Sequence, residues 1–157
     1  MRNVTVGDIV CASGGRLLCG DSEVSVWHIT FDSRDRMENM LFVPLLGGRT
    51  DGHSFIPSAF ANGAVAVFTS EHTWADIPED QRKYAWIYVE DTKVAMQRLA
   101  GWYRGRLELP IIGITGSVGK TTTRAMVAEA LAGSFSVYQT KGNLNSQIGV
   151  PEMLLEI

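Results

Sequence analysis

The sequence predicts an α/β fold: a small N-terminal α/β domain over residues 1–107, then from residue 108 the opening of a second unit built on a parallel sheet. Three observations lead there. Short apolar, β-rich runs alternate with segments of helical spacing through the first 107 residues, as in strands joined by crossover helices. Gly105-Arg106-Leu107-Glu108-Leu109-Pro110 interrupts that alternation, and Pro110 can start a strand but not continue a helix. Beyond it, Ile111 to Thr115 is an apolar run of the length of a buried parallel strand, stopped by Gly116 and followed from Thr121 by helical spacing.

The elements are predicted in order. Thr5 caps a short helix with Asp8 in its first turn, ended by Gly14-Gly15. Val24 to Thr30 alternates as a strand, and His28 inside it is a packed or edge histidine with no second ligand at metal spacing. Leu41 to Leu46 is a strand that Pro44 confines to an edge or a strand end. Ser54 caps a helix over residues 55–62, with Phe55, Ala59 and Phe60 facing the core and Gly63 at its end. Ala64 to Phe68 and Trp86 to Val89 are strands separated by a polar loop. Asp91 caps a helix from Thr92 to about Tyr103, with Ala95, Leu99 and Trp102 on one side. In the second unit a helix spans Thr121 to Ala132, with Met126, Val127, Ala130 and Leu131 as its apolar face. A strand over Ser136 to Gln139 and a helix around Pro151 to Ile157 follow.

Composition excludes several classes of function. A chain of 157 residues holds one domain, or one and part of another, and 45% apolar with 20% charged residues is ordinary for a globular protein. No apolar run approaches the ~20 residues of a membrane span, and the first residues lack a signal-peptide pattern, so a cytoplasmic location is expected. A net charge of −3 argues against nucleic acid as the main partner, so an anionic ligand must be held by local cations. Cys11 and Cys19 lack the number and spacing of a disulfide framework or metal site, and are expected to be reduced, half-buried thiols.

The chemistry concentrates at Ile111-Ile112-Gly113-Ile114-Thr115-Gly116-Ser117-Val118-Gly119-Lys120-Thr121-Thr122-Thr123. Strand, glycine turn and helix form the arrangement that cradles a phosphate chain. Glycines let backbone N–H groups crowd a polyphosphate, and the helix N-terminus adds unpaired donors and partial positive charge. The backbone of Gly116, Ser117, Val118, Gly119, Lys120, Thr121 and Thr122 is the candidate nucleotide site. Lys120 supplies a charge towards the β/γ-phosphates, Thr121 a hydroxyl for Mg2+, and Thr122 a helix cap. Ile114 stands where the general phosphate loop has a glycine; here the glycines fall at Gly113, Gly116 and Gly119.

That loop variant, Ile-Thr-Gly-Ser-x-Gly-Lys-Thr-Thr, resembles the one found in the Mur ligases, ATP-dependent enzymes that form amide bonds. Gly142-Asn143-Leu144-Asn145-Ser146-Gln147-Ile148-Gly149-Val150-Pro151 is similar to a segment of one branch of that family. Asp32-Ser33-Arg34, then Leu41-Phe42-Val43, then Gly48-Arg49-Thr50-Asp51-Gly52-His53 resemble its UDP-binding N-terminal domain. Asn39 replaces an expected glycine there, but tolerates the left-handed dihedrals such a turn needs. The resemblance implies a ligase that joins D-alanyl-D-alanine to UDP-N-acetylmuramoyl-tripeptide through an acyl phosphate, with ATP and Mg2+. Lys120 and Thr121 would be catalytic. Ser33, Arg34, Gly48, Arg49 and Thr50 would lie at the UDP end of the substrate, and Asn143 and Asn145 would line the path to the nucleotide or shape their loop.

Only two strands of the second sheet are predicted. We therefore expect a fragment inactive by itself, with dimerisation through the unfinished sheet edge. The alternatives are another Mur-type ligase adding the third amino acid, a folate or cyanophycin relative, or a generic phosphate-loop NTPase with a regulatory first half.

Overall fold

The computed structural model describes residues 1–46, 51–140, 144 and 146–157. Five strands make one mixed sheet: β1 (Arg16–Cys19), β2 (His28–Thr30), β3 (Met40–Phe42), β4 (Ala64–Thr69) and β5 (Ala85–Tyr88), in the order β1-β5-β4-β3-β2. β2, β3, β4 and β5 run parallel and β1 pairs antiparallel with β5. The parallel strands are covered on both faces, which explains their near-continuous apolar sequence.

Period-two alternation sorts the side chains into two cores. Leu41, Ala66, Phe68, Ala85 and Ile87 point to one face, where Ile9, Ala95, Met96, Leu99 and Leu155 cover them. Those covering residues come from α1 (Val6–Ser13), α3 (Thr92–Arg106) and α5 (Gly149–Glu156). Met40, Phe42, Val67 and Trp86 point the other way, against Ile56, Ala59 and Phe60 of α2 (Ile56–Ala61) and against Ile77.

Local signals account for the helix starts. Thr5 Oγ1 accepts from the Asp8 amide at 3.2 Å and Asp8 Oδ2 accepts from the Thr5 amide at 3.0 Å, a reciprocal cap; Gly14, at φ 72°, ends α1. Asp91 Oδ1 accepts from the Val94 amide at 2.9 Å at the head of α3. Asn39 is left-handed at φ 56°, as its side chain permits. Gly63, at φ 110°, admits no side chain, because a Cβ there would run into the Met37 carbonyl.

The structure corrects several expectations. Val24 to Thr30 is extended but divided: Val24 and Val26 pair with Val6 and Val4, and only His28 to Thr30 enters the sheet. β1, with its mixed sequence Arg-Leu-Leu-Cys, is an addition. Pro44 lies just beyond β3, a strand with neighbours on both sides, so the strand-end alternative is the one realised. Ser54 does not cap α2; a 3₁₀ turn over Gly52–Phe55 comes first, with Asp51 as its cap, and that turn rotates Phe55 outward to 44% exposure. Cys11 is exposed, while burial pushes the half-buried Cys19 thiol upward in pKa. Helix α4 (Lys120–Ala132) forms as expected, but none of its residues is buried.

Neither Ile111 to Thr115 nor Ser136 to Gln139 is a strand. A strand exists only through a partner's ladder, and no described segment offers one to either run. The second run is instead held by side chains. Tyr138 Oη donates to Glu156 Oε2 at 2.7 Å, and burial with that carboxylate pushes the Tyr138 pKa up to about 12.

α5 joins the last residues to the first sheet: Leu155 is fully buried, and Gln97 Nε2 on α3 donates to the Gln147 carbonyl at 2.9 Å. Leu155→Ala should lower stability by about 2–5 kcal/mol, read from chemical denaturation. Burial first, then Glu156 and Asp35, raises the Glu152 pKa, so its protonated form favours folding. Its contribution is complete below the ordinary carboxylate pKa and lost as pH rises through the raised value. Glu152→Gln should therefore raise Tm at pH 7 and leave it nearly unchanged at pH 4 in thermal melts.

Candidate functional site

Two regions carry the candidate residues. The first is the turn into α4. Gly116 has φ 149° and Gly119 φ 82°, so both glycines use backbone conformations that L side chains rarely adopt. Gly119 is the N-cap, and no side chain caps this 13-residue helix. α1 and α3, by contrast, close their first turns with Thr5 and Asp91. The first turn of α4 thus keeps N–H donors available at the positive end of the helix dipole. The Lys120 ammonium folds back over the turn onto the Gly116 carbonyl. Ser117, Val118, Thr121 and Thr122 are all exposed. Thr122 lies inside α4 and does not cap it.

The second region is the edge where the parallel strands end. β2 leads into Asp32-Ser33-Arg34. Arg34 Nε and Nη2 donate to Asp32 at 2.8 and 2.6 Å, and this fork holds the Asp32 carboxyl down at about 2. The Ser33 carbonyl accepts from Asn62 Nδ2 at 2.8 Å. Beyond β3, Leu46 pairs with Asp51 in an antiparallel bridge. The expectations at Gly48, Arg49 and Thr50, like those at Asn143 and Asn145, lie outside the described residues.

A cluster that sequence reasoning left out of the site joins these strand ends. His53 is buried; its Nδ1 donates to Asp51 Oδ1 at 2.7 Å and its Nε2 accepts from the Ser70 amide at 3.1 Å. Since a backbone N–H can only donate, Nε2 carries the lone pair and Nδ1 the proton. Glu71 Oε2 lies 3.9 Å from Nδ1. Asp51, His53 and Glu71 have the reach of a metal site, each offering a ligand atom within 4.8 Å of the others. The hydrogen bonds oppose a cation there, because both imidazole nitrogens are already engaged. The available signal was the Asp51-Gly52-His53 spacing; Ser70, 17 residues on, could not be anticipated.

A separate cleft of about 340 Å³ lies between β1, β5 and α3, lined by Ser13, Gly15, Arg16, Tyr88, Asp91 and Arg98. Its cations are engaged: Arg98 donates to the Ser13 carbonyl at 3.4 Å, and Arg16 sits 5.8 Å from the centre of the Tyr88 ring.

Residues 25–104 match the catalytic domain of the Mur ligase family, and residues 114–157 match the Mur ligase middle domain. The chain belongs to the Mur ligase family. Among curated Mur ligases it is similar to the UDP-N-acetylmuramoyl-tripeptide–D-alanyl-D-alanine ligase of Synechocystis sp., 43% identical over 86% of this chain and 29% of the relative. The enzyme of that name from Bacillus subtilis is 39% identical over 96% and 32%. The one from Escherichia coli is 34% identical over 100% and 33%. A crystal structure of MurF from Acinetobacter baumannii superposes with a TM-score of 0.84 at 32% identity, covering 98% of this chain and 33% of that one. A MurF ligase structure from Thermotoga maritima in complex with ADP gives 0.70 at 33% identity, covering 82% and 28%. The chain thus spans about a third of the length of these Mur ligases. No described helix is long and apolar enough to cross a membrane.

The Asp32–Arg34 fork provides a measurable handle on the Mur ligase sheet edge. Because the Asp32 pKa is depressed in the folded chain, its contribution to stability is present above the ordinary carboxylate value and lost as pH falls towards about 2. In a carboxyl-detected NMR titration, Arg34→Ala should raise the Asp32 midpoint towards the ordinary carboxylate range, the residue-34 amide still holding it somewhat low.

Proposed function

We propose that this chain is the N-terminal part of an ATP-dependent, ADP-forming ligase that adds D-alanyl-D-alanine to UDP-N-acetylmuramoyl-tripeptide in peptidoglycan synthesis. The observation that carries the reading is the uncapped start of α4 behind two positive-φ glycines with Lys120 at its first position, within a chain similar to enzymes of that name. A helix start without a side-chain cap fits a polyphosphate, whose oxygens can take the N–H groups that a capping residue would otherwise occupy.

In this reading residues 1–107 hold the UDP end of the substrate and residues 108–157 open the ATP-binding unit, a division supported by the middle-domain match that begins at residue 114. ATP, when bound, supplies the phosphoryl group that activates the substrate carboxylate for attack by the amine. The amides of Gly116 to Thr122 orient the phosphates, and Lys120 leaves the Gly116 carbonyl to meet their charge. Thr121 offers its hydroxyl to Mg2+. Ser33 and Arg34 stand at the strand ends where nucleotides bind in open α/β sheets, with Gly48, Arg49 and Thr50 following in sequence. Asn143 and Asn145 belong to the connection between the two sites. The protein works in the cytoplasm, and the chain by itself is catalytically inactive. Its exposed Ile111 and Ile112 favour pairing with a second copy.

A coupled assay tests this. The full-length protein, given UDP-N-acetylmuramoyl-tripeptide, D-alanyl-D-alanine and ATP, should release ADP, and Lys120→Ala should lower kcat by roughly 100-fold or more. ADP release with a free diamino acid but not with D-alanyl-D-alanine would assign the protein to the ligase that adds the third residue. Turnover by the 157-residue chain alone would refute its inactivity.

A further inference from the structure

We propose that His53 is a positioning residue for the nucleotide end of the substrate: a neutral imidazole that clamps the Asp51-Gly52 neck to the C-terminal end of β4. This rests on the reading above, in which the same sheet edge receives the UDP group.

The neck is closed at its base. Leu46 bridges Asp51, and the Gly52 amide donates to the Leu45 carbonyl at 3.2 Å. A Cβ on Gly52 would lie 2.7 Å from the Leu45 nitrogen, so the two arms touch backbone to backbone. From α3, Thr92 Oγ1 donates to the Pro44 carbonyl at 2.6 Å and fixes the outgoing arm. The returning arm is fixed by His53, through Asp51 on one side and Ser70 on the other. Burying an imidazole costs free energy unless both nitrogens are satisfied, and here both are. An apolar side chain of similar size would fill the space but leave the Ser70 N–H without its acceptor and Asp51 with the residue-53 amide but without the ring donor. The polar residue thus adds direction to a contact that packing alone would leave loose.

The clamp works in one protonation state only. A proton on Nε2 would face the Ser70 N–H, donor against donor, and the tie to β4 would break.

The test is an amide-NMR titration of the 157-residue chain with UDP-N-acetylmuramoyl-tripeptide, comparing the unsubstituted chain with His53→Leu and Asp51→Asn. His53→Leu should lower affinity roughly tenfold. Asp51→Asn keeps an uncharged acceptor for Nδ1–H and should weaken binding less than His53→Leu does. Imidazole nitrogen shifts of the unsubstituted chain at neutral pH should show a protonated Nδ1 and a bare Nε2. A folded His53→Leu chain that binds with unchanged affinity, or a protonated Nε2 at neutral pH, would overturn this proposal while leaving the substrate reading intact. No binding by the unsubstituted chain would overturn both. Should His53→Leu fail to fold, the nitrogen shifts of the unsubstituted chain, followed as substrate is added, decide the matter.

Discussion

The parallel ladder from β2 to β5 is the constraint on which the rest depends. Parallel neighbours cannot be joined by a tight turn, so each connection must cross the sheet before the next strand begins. The backbone polar groups of the strands are paired within the ladder, and their side chains alternate into two apolar layers. Helices must then cover both faces, and α1, α3 and α5 on one side with α2 on the other do so. The same topology sends the parallel strands β2 to β5 out at one edge, where Asp32-Ser33-Arg34, the Asp51–His53 neck and Ser70-Glu71 all follow strand ends without being close in sequence.

The two candidate regions use opposite strategies for polar groups. At the sheet edge nearly every named group has a protein partner: Arg34 with Asp32, His53 with Asp51 and Ser70, Thr92 with Pro44. Such saturation produces a rigid platform, suited to holding a ligand in a fixed place. At the start of α4 the amides lack a side-chain cap, and the lysine rests on a loop carbonyl that a stronger anion can replace. That end leaves its donors open to an anion, as an uncapped helix N-terminus in general does.

α5 links the two. Its sequence follows the Mur-like Gly-Asn-Leu-Asn stretch, yet Leu155 is buried in the core of the first sheet and Glu152 lies close enough to feel the charge of Asp35. The α5 end of that connection is anchored by packing, with Ser146 Oγ accepting from the Gly149 amide at 3.0 Å where the helix begins.

The sequence by itself determined the features that depend on neighbours a few residues away: the Thr5 and Asp91 caps, the left-handed Asn39, the glycine turn at Gly116 and Gly119, and the apolar runs of β3, β4 and β5. These rest on dihedral preference, side-chain reach and short periodicity, all of which are local. Much of the fold was legible for that reason, and the glycine turn into α4 with it. What required a partner was not. Ile111 to Thr115 has the composition of a strand, but a ladder needs a second chain segment, and composition cannot supply one. β1 is a strand because β5 accepts it, despite a weak pattern of its own. His53 was visible only as part of a motif; its tautomer was decided by Ser70, which the tertiary fold alone brings within 3.1 Å.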